Sequence, residues 1–265
     1  VDVGLDIQLN SGFDYKNMVM DAALQDRELT GELVSDNPEL DLGMKFRLGL
    51  DDNAYKIHVN GDIQQVDLKG LHFMPENMSF SLGLNVDAEL KADRTSSLQA
   101  DFSNIVLRDL ATRKLGDLDI TFSGLPDKTL LDVKAGDLTV TFEGDGGSTT
   151  LIDRFSAVGG LLVEQIEKHD FNMERLNELL PDFRLTLGAG RENLLNGYLK
   201  NNGIRFERVA LDVGTDVSRD FRLNSKIYGL NIEGVLLDSL FVYAKQKNVA
   251  LCYGAEIFGA KDQLE

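Results

Sequence analysis

The side chains that most often carry chemistry are few in this sequence. Its 3 histidines are His58, His72 and His169. His58 falls on the polar phase of an alternating run, His72 sits beside a turn signal, and His169 ends a helical stretch. None has the spacing to Cys, Asp or Glu that a tetrahedral zinc site requires, so no metal centre is expected. The single cysteine, Cys252, lies in "VALCYGAEI". Alternation there predicts a buried small hydrophobe, and Tyr253, Gly254 and Glu256 supply nothing basic to hold a thiolate. One cysteine also means no disulfide within the chain. No serine stands in a G-x-S-x-G elbow. "EGDGGSTT" at 143–150 places glycines before a helix, where an anion could be cradled, but no lysine follows as in a Walker motif. Glu143 and Asp145 would oppose a phosphate, so the segment reads as a turn leading to a helix cap. EF-hand spacing is missing too. The 44 acidic residues offer dozens of carboxylate pairs for glycoside hydrolysis, and nothing in the sequence selects one. No catalytic residue and no cofactor is expected; the chain does not read as an enzyme.

Composition narrows the rest. The 265 residues are 43% hydrophobic and 27% charged with only 4 prolines, a globular composition long enough for one large β domain or two ordinary ones. The formal net charge of −17 repels phosphate backbones, which argues against nucleic-acid partners. No stretch approaches the roughly 20 apolar residues that cross a bilayer. The chain opens in mid-alternation, "VDVGLDIQLN", as a piece cut from something longer would.

The elements follow from one rhythm. In "MSFSLGLNVDAELKA" (78–92) every even position is apolar and every odd one small or polar. Strict alternation marks a half-buried strand, and this run would extend roughly 50 Å. The same pattern runs through Val1–Leu9, Leu40–Leu50, Tyr55–Ile63, Leu98–Phe102, Leu118–Phe122, Leu138–Phe142, Phe183–Leu187, Val209–Val213 and Leu251–Ile257, with turn signals at 35–38, 51–53, 125–128 and 245–248. Antiparallel strands with short connections produce this. A helix is expected over 149–168, capped by Thr149 or Thr150, with Leu151, Phe155, Val158, Leu162 and Ile166 as its apolar stripe. Gly159 and Gly160 in its middle suggest a close neighbour. A second short helix, "MERLNELL", stops at Pro181, and a third, "RENLLNGYLKNNG", ends near a left-handed Gly203.

Covering so long an oily face requires either a second sheet, giving a closed β-sandwich, or a sheet that curls on itself. Sandwich strands are usually 5 to 6 residues, which favours the curl. The expected fold is mainly β, a long antiparallel sheet curled into an apolar-lined groove, as one structural domain. Groove strands would occupy 1–148. A helical insertion over 149–203 would pack on the groove and include a short strand at 183–188, and further groove strands would fill 204–265. Leu42, Met44, Phe46, Leu48, Phe80, Leu82, Leu84, Val86 and Leu90 are the candidate groove lining, and the stripe on the 149–168 helix is a candidate lid.

The segments "FDYKNMVMDAALQDRELTGELVSDNPELDLGMKFRLGL", "YKIHVNGDIQQVDLKGLHF" and "MSFSLGLNVDAEL", followed by "LIDRFSAVGGLLVEQIEKHDFNMERLNELLP", resemble the C-terminal region of TamB-like proteins of the AsmA superfamily. The resemblance spans essentially the whole chain and lies in pattern rather than in a catalytic motif. It implies a β-taco groove in the periplasm of a double-membrane bacterium, within a longer protein anchored in the inner membrane. It also implies phospholipid acyl chains as ligand, and an outer-membrane barrel of the TamA/BamA type as partner of the full-length protein. The implied function is inter-membrane phospholipid transport, outer-membrane protein assembly, or both. The anchor and the barrel-facing region are missing from the pattern here, which puts either end contact in doubt for this segment. The alternative is a closed β-sandwich, structural or adhesin-like, without lipid.

Overall fold

The computed structural model describes residues 2–8, 14–109, 111–168, 172–201, 203–215, 220–247 and 250–259. Among the described residues the chain is mainly β, with antiparallel strands and three helices. It divides into two compact units, Val1–Thr121 and Phe122–Glu265.

The first unit is a ladder of strands paired in sequence order: β1 (Asp2–Gln8), β2 (Asp14–Gln25), β3 (Glu28–Asn37), β4 (Leu40–Leu50), β5 (Ala54–Asp67), β6 (Ser79–Lys91), β7 (Ser96–Arg108) and β8 (Thr112–Lys114). β6 is the quoted alternating run, 13 residues long. The alternation breaks twice, at Gln64–Gln65 in β5 and at Asn104 in β7, and a bulge repairs each break. Ile63 pairs with Leu82 and Val66 with Phe80, so two residues of β5 oppose Ser81 alone. In β7, Ser103 pairs with Gly83 and Val106 with Ser81, and Asn104 takes φ 52. An extra residue flips the side-chain phase, which returns Val66 and Ile105 to the apolar face.

Two turns set the limits of β2 and β3. Gln25 pairs with Glu28 across Asp26 (φ 48) and Arg27 (φ 67), a two-residue turn with both central φ positive but without the usual Asn-Gly. The expected turn at 35–38 is shorter. Strand β3 continues to Asn37, with Ser35 buried and its hydroxyl donating to the Leu40 carbonyl at 2.6 Å.

After β9 (Leu118–Gly124), the second unit pairs β10 (Lys128–Ala135), β11 (Leu138–Asp145), β12 (Phe183–Ala189), β14 (Arg208–Thr215), β15 (Phe221–Ile232), β16 (Val235–Lys247) and β17 (Ala250–Gly259) in that order. Helices α1 (Ser148–Lys168) and α2 (Met173–Leu179) lie between β11 and β12 in the chain. Helix α3 (Leu194–Asn201) and the two-residue β13 (Ile204–Arg205) lie between β12 and β14. β15 and β16 lie in the region 204–265 expected to hold strands, and the expected turn at 245–248 is strand through Lys247, with Asn248 outside the described residues.

Helix α1 begins one residue earlier than expected, so Thr149 and Thr150 are inside it rather than capping it. Val158, Leu161, Met173, Leu176 and Leu180 form a buried cluster between α1 and α2, flanked by Leu162, Leu179, Phe183, Phe221 and Leu251. Gly203 has φ +72, as a helix C-terminal glycine should. Gly159 and Gly160 contradict the expected close approach: both are exposed, and an added Cβ would meet nothing within 4 Å.

Candidate functional site

Register decides whether the apolar residues of neighbouring strands meet. Leu42 of β4 pairs with Ile63 of β5, and Ile63 with Leu82 of β6. One step along, Met44, Gly61 and Leu84 are partners; then Phe46, Val59 and Val86; then Leu48, Ile57 and Ala88. Leu90 faces Tyr55, and Phe80 faces Val66. Directly opposed residues share a face, so all nine groove candidates fall on one side of one ladder. β3 extends that side with Leu29 and Leu33, and β7 with Leu98, Ala100 and Phe102.

Burial along this side is graded. Leu42 is buried. Met44, Phe46, Leu48, Phe80, Leu82, Leu84 and Val86 are half-buried, and Leu90 is 53% exposed. The gradient has a source that sequence reasoning missed. The β5–β6 connection folds back so that Leu71, 2% exposed, packs with Met18 and Val66 and against Leu33, Leu40, Ile63, Leu68 and Phe80. Both Lys69 and Gly70 donate their N–H to the Asp67 carboxylate at 3.0 Å, and the Phe73 N–H donates to the Leu68 carbonyl at 2.8 Å, which holds the connection in place. The only sequence signal was "LHF", three residues after Leu68 and out of phase with the strand before it. At the other end Leu24, Tyr55, Ile57 and Leu90 are exposed large hydrophobics.

Two glycines shape this side. Gly31 lies beside Phe46, and a Cβ there would fall 2.5 Å from the ring, so the phenyl group covers the glycine. A Cβ on Gly61 would overlap the Gly43 carbonyl oxygen. The opposite side of the ladder carries the charges. His58 Nδ1 and Asp87 Oδ1 are 2.8 Å apart, Arg47 and Glu28 3.3 Å, and Lys56 and Asp51 3.6 Å. A concavity of about 440 Å³ on that wet side is walled by Lys45, Arg47, His58 and Asn60, but Arg47 and His58 already engage carboxylates.

The lid stripe is partly reassigned. Leu151 and Val158 are buried and Phe155 and Leu162 half-buried, but Ile166 is 67% exposed. Gln165 takes its place: its amide donates to the Asn172 carbonyl at 3.1 Å and accepts from the Asn172 N–H at 3.2 Å, tying α1 to the start of α2. Phe155 meets Phe183 of β12 edge-on at 5.0 Å and Phe142 of β11 at 6.0 Å, and Leu151 closes over Gly144. The helix therefore covers strands of the second unit.

Cys252 is exposed, against expectation. It lies on β17, which is exposed at most positions from Cys252 to Gly259. His169 lies outside the described residues. Among those described, no group of three His, Cys, Asp or Glu side chains is placed to hold a metal ion, and no helix is long and apolar enough to cross a membrane. No protein-family model, curated protein or solved structure matches the chain.

Proposed function

We propose that the chain is a periplasmic segment of a TamB-like envelope protein whose first unit binds lipid acyl chains along the apolar side of β2–β7. It would serve phospholipid movement between membranes, outer-membrane protein assembly, or both. The observation that carries this reading is the register: four successive rows across β4, β5 and β6 place apolar residues side by side on strands of 11 to 14 residues. An acyl chain gains about 0.8 kcal/mol for each buried CH₂. A surface of near-equal Leu, Val, Phe and Met positions provides that gain without one deep trap, so a lipid can move along it. Leu71 bounds the surface at one end, and the exposed Leu24, Tyr55 and Leu90 leave the other end open to an incoming chain. The link to an inner-membrane anchor and an outer-membrane barrel of the TamA/BamA type rests on the resemblance and belongs to the longer protein.

Native mass spectrometry of the gently purified protein, followed by organic extraction, tests the reading. Phospholipid should co-purify, and should be lost in Leu82→Asp/Leu84→Asp protein that keeps its β circular dichroism. A lipid-free mass that stays lipid-free after incubation with phospholipid vesicles would instead favour a scaffold without lipid.

A further inference from the structure

The connection from β5 to β6 is longer than the ladder needs. It runs over residues 68–78, whereas β3 turns into β4 across Pro38 and Glu39 and β4 into β5 across 51–53. Hairpin loops usually take about 2–5 residues. Only one side chain of the connection is buried, Leu71, while His72, Phe73, Pro75, Glu76 and Asn77 are exposed. Leu71 lies among Val66, Leu40, Ile63 and Phe80. Leu40, Val66 and Phe80 are cross-strand partners, the row that continues the apolar side beyond Leu42, Ile63 and Leu82. The leucine therefore covers the end of the surface assigned above to an acyl chain.

The backbone of the connection is closed on itself. The Lys69 and Gly70 N–H groups donate to the Asp67 carboxylate, and the Leu71 N–H to the Asp67 carbonyl at 2.9 Å. The His72 N–H donates to the Lys69 carbonyl at 3.0 Å and the Phe73 N–H to the Leu68 carbonyl at 2.8 Å. These bonds travel with the turn, so Leu71 can leave the sheet without breaking them. His72 has φ 63, a left-handed conformation that a residue with a Cβ disfavours. The docked turn is thus held by its leucine more than by its own backbone preference.

We propose that the 68–78 connection is a displaceable plug: Leu71 occupies the apolar side in place of an acyl chain, and the turn swings out as a unit when a chain enters. The identity of the entering ligand rests on the acyl-chain reading; the opening itself does not. Closed, Leu71 covers Leu40, Val66 and Phe80. Open, a hydrocarbon chain covers them instead, so the row stays dry through the exchange. Leucine and lipid compete, and apparent lipid affinity is lowered by the fraction of molecules that are open.

Thiol labelling tests the opening without lipid. In a Cys252→Ser background, Leu71→Cys should react with N-ethylmaleimide at least about tenfold faster than Ala100→Cys, because only the second thiol waits on the ladder itself. Ala100, on β7, is 3% exposed on the same side, so equal rates would mean that both wait on unfolding of the sheet, and would overturn the plug. Calorimetric titration with lysophosphatidylcholine below micelle formation tests the competition. Leu71→Ala should melt lower than wild type yet bind at least about tenfold more tightly, the reciprocal of an open fraction of 10% or less. The Leu71→Cys thiol should also label faster as lipid is added. An affinity at or below that of wild type overturns the plug, since a leucine that only filled the core would loosen the site along with the sheet. If neither wild type nor variant binds this lipid while the Leu71→Cys thiol still labels faster than the Ala100→Cys thiol, the plug stands and the acyl-chain reading falls.

Discussion

Gly61 and Gly43 sit on adjacent strands of the first unit and look interchangeable in the sequence, yet their surroundings are opposite. A Cβ on Gly61 would strike the Gly43 carbonyl oxygen and come within 2.7 Å of Met44 Cα, which are backbone atoms that cannot turn aside. A Cβ on Gly43 would meet nothing within 4 Å. Gly61→Ala should therefore cost about 1–3 kcal/mol, the range for overpacking, while Gly43→Ala should be neutral or slightly stabilising because it narrows the unfolded ensemble. Urea midpoints of the two variants decide it, and equal midpoints would contradict the packing described. This contrast was illegible beforehand, since glycine occupied the apolar phase of β5 and the polar phase of β4 with no sign of which one the backbone crowds. Residue type did assign the nine groove candidates to one side, because the two-residue period of a strand does not depend on tertiary context. Cys252 failed for the complementary reason: alternation places a residue on a side of a strand but says nothing about whether that side is covered.

At the scale of elements, the helices give two predictions. Gly159 and Gly160 cost α1 helix propensity with no packing return, so Ala at either position should stabilise by about 0.5–1 kcal/mol and raise the melting temperature by a few degrees. A drop in melting temperature would mean that a partner uses the open space. α3 is tied down by a carboxylate in the β10–β11 turn. Asp137 accepts from the Gly190 N–H at 3.2 Å, the Glu192 N–H at 3.0 Å and the Asn193 amide at 2.5 Å. Burial works to raise this carboxyl, but the hydrogen bonds from Asn193 and from the backbone of Glu192, Gly190 and Arg191 together outweigh it and hold it below the usual carboxylate range. A group depressed in the folded state stabilises above its unfolded value, and that contribution fades as pH falls through its folded value. Asp137→Asn should thus cost about 1 kcal/mol at neutral pH, and its difference from wild type should shrink below the carboxylate range. A difference constant down to strongly acid pH would refute the assignment. Long strands with clean alternation were legible, β6 nearly to the residue. β3 was not, because Gly31 and Ser35 interrupt its apolar phase and Val34 occupies the wet one. β15 and β16 fall in the region expected to be strands, but their limits were not legible because their turn is Glu233-Gly234 rather than a familiar pair, and the α1 stripe drifted by one position because a polar residue, Gln165, was needed to fasten α2.

For the molecule as a whole, each strand of the first unit owes its order mainly to the strands on either side, so stability should vary along the ladder instead of being shared evenly. β4, β5 and β6 have full-length partners on both sides, and Leu71 packs beside them; β17, in the other unit, is exposed over most of its length, with Leu251 packed against the α1–α2 cluster. Native-state hydrogen exchange should find the slowest amides in β4–β6 and the fastest in β17. The acyl-chain reading adds a second requirement to the same measurement. A ligand that binds only the folded first unit stabilises it by RT ln(1 + [L]/Kd), about 2.7 kcal/mol at 100 times Kd, and the protection should appear where the ligand lies. With lysophosphatidylcholine added below micelle formation, exchange in β3–β7 should slow, more so at higher lipid, while β11 and β12 beneath α1 should be unchanged because that apolar surface is already covered by Leu151 and Phe155. Uniform slowing throughout the chain would point to a non-specific detergent-like effect. Slowing confined to β11 and β12 would move the binding surface to the second unit, and the nine residues of β4 and β6 would then be ordinary sheet core.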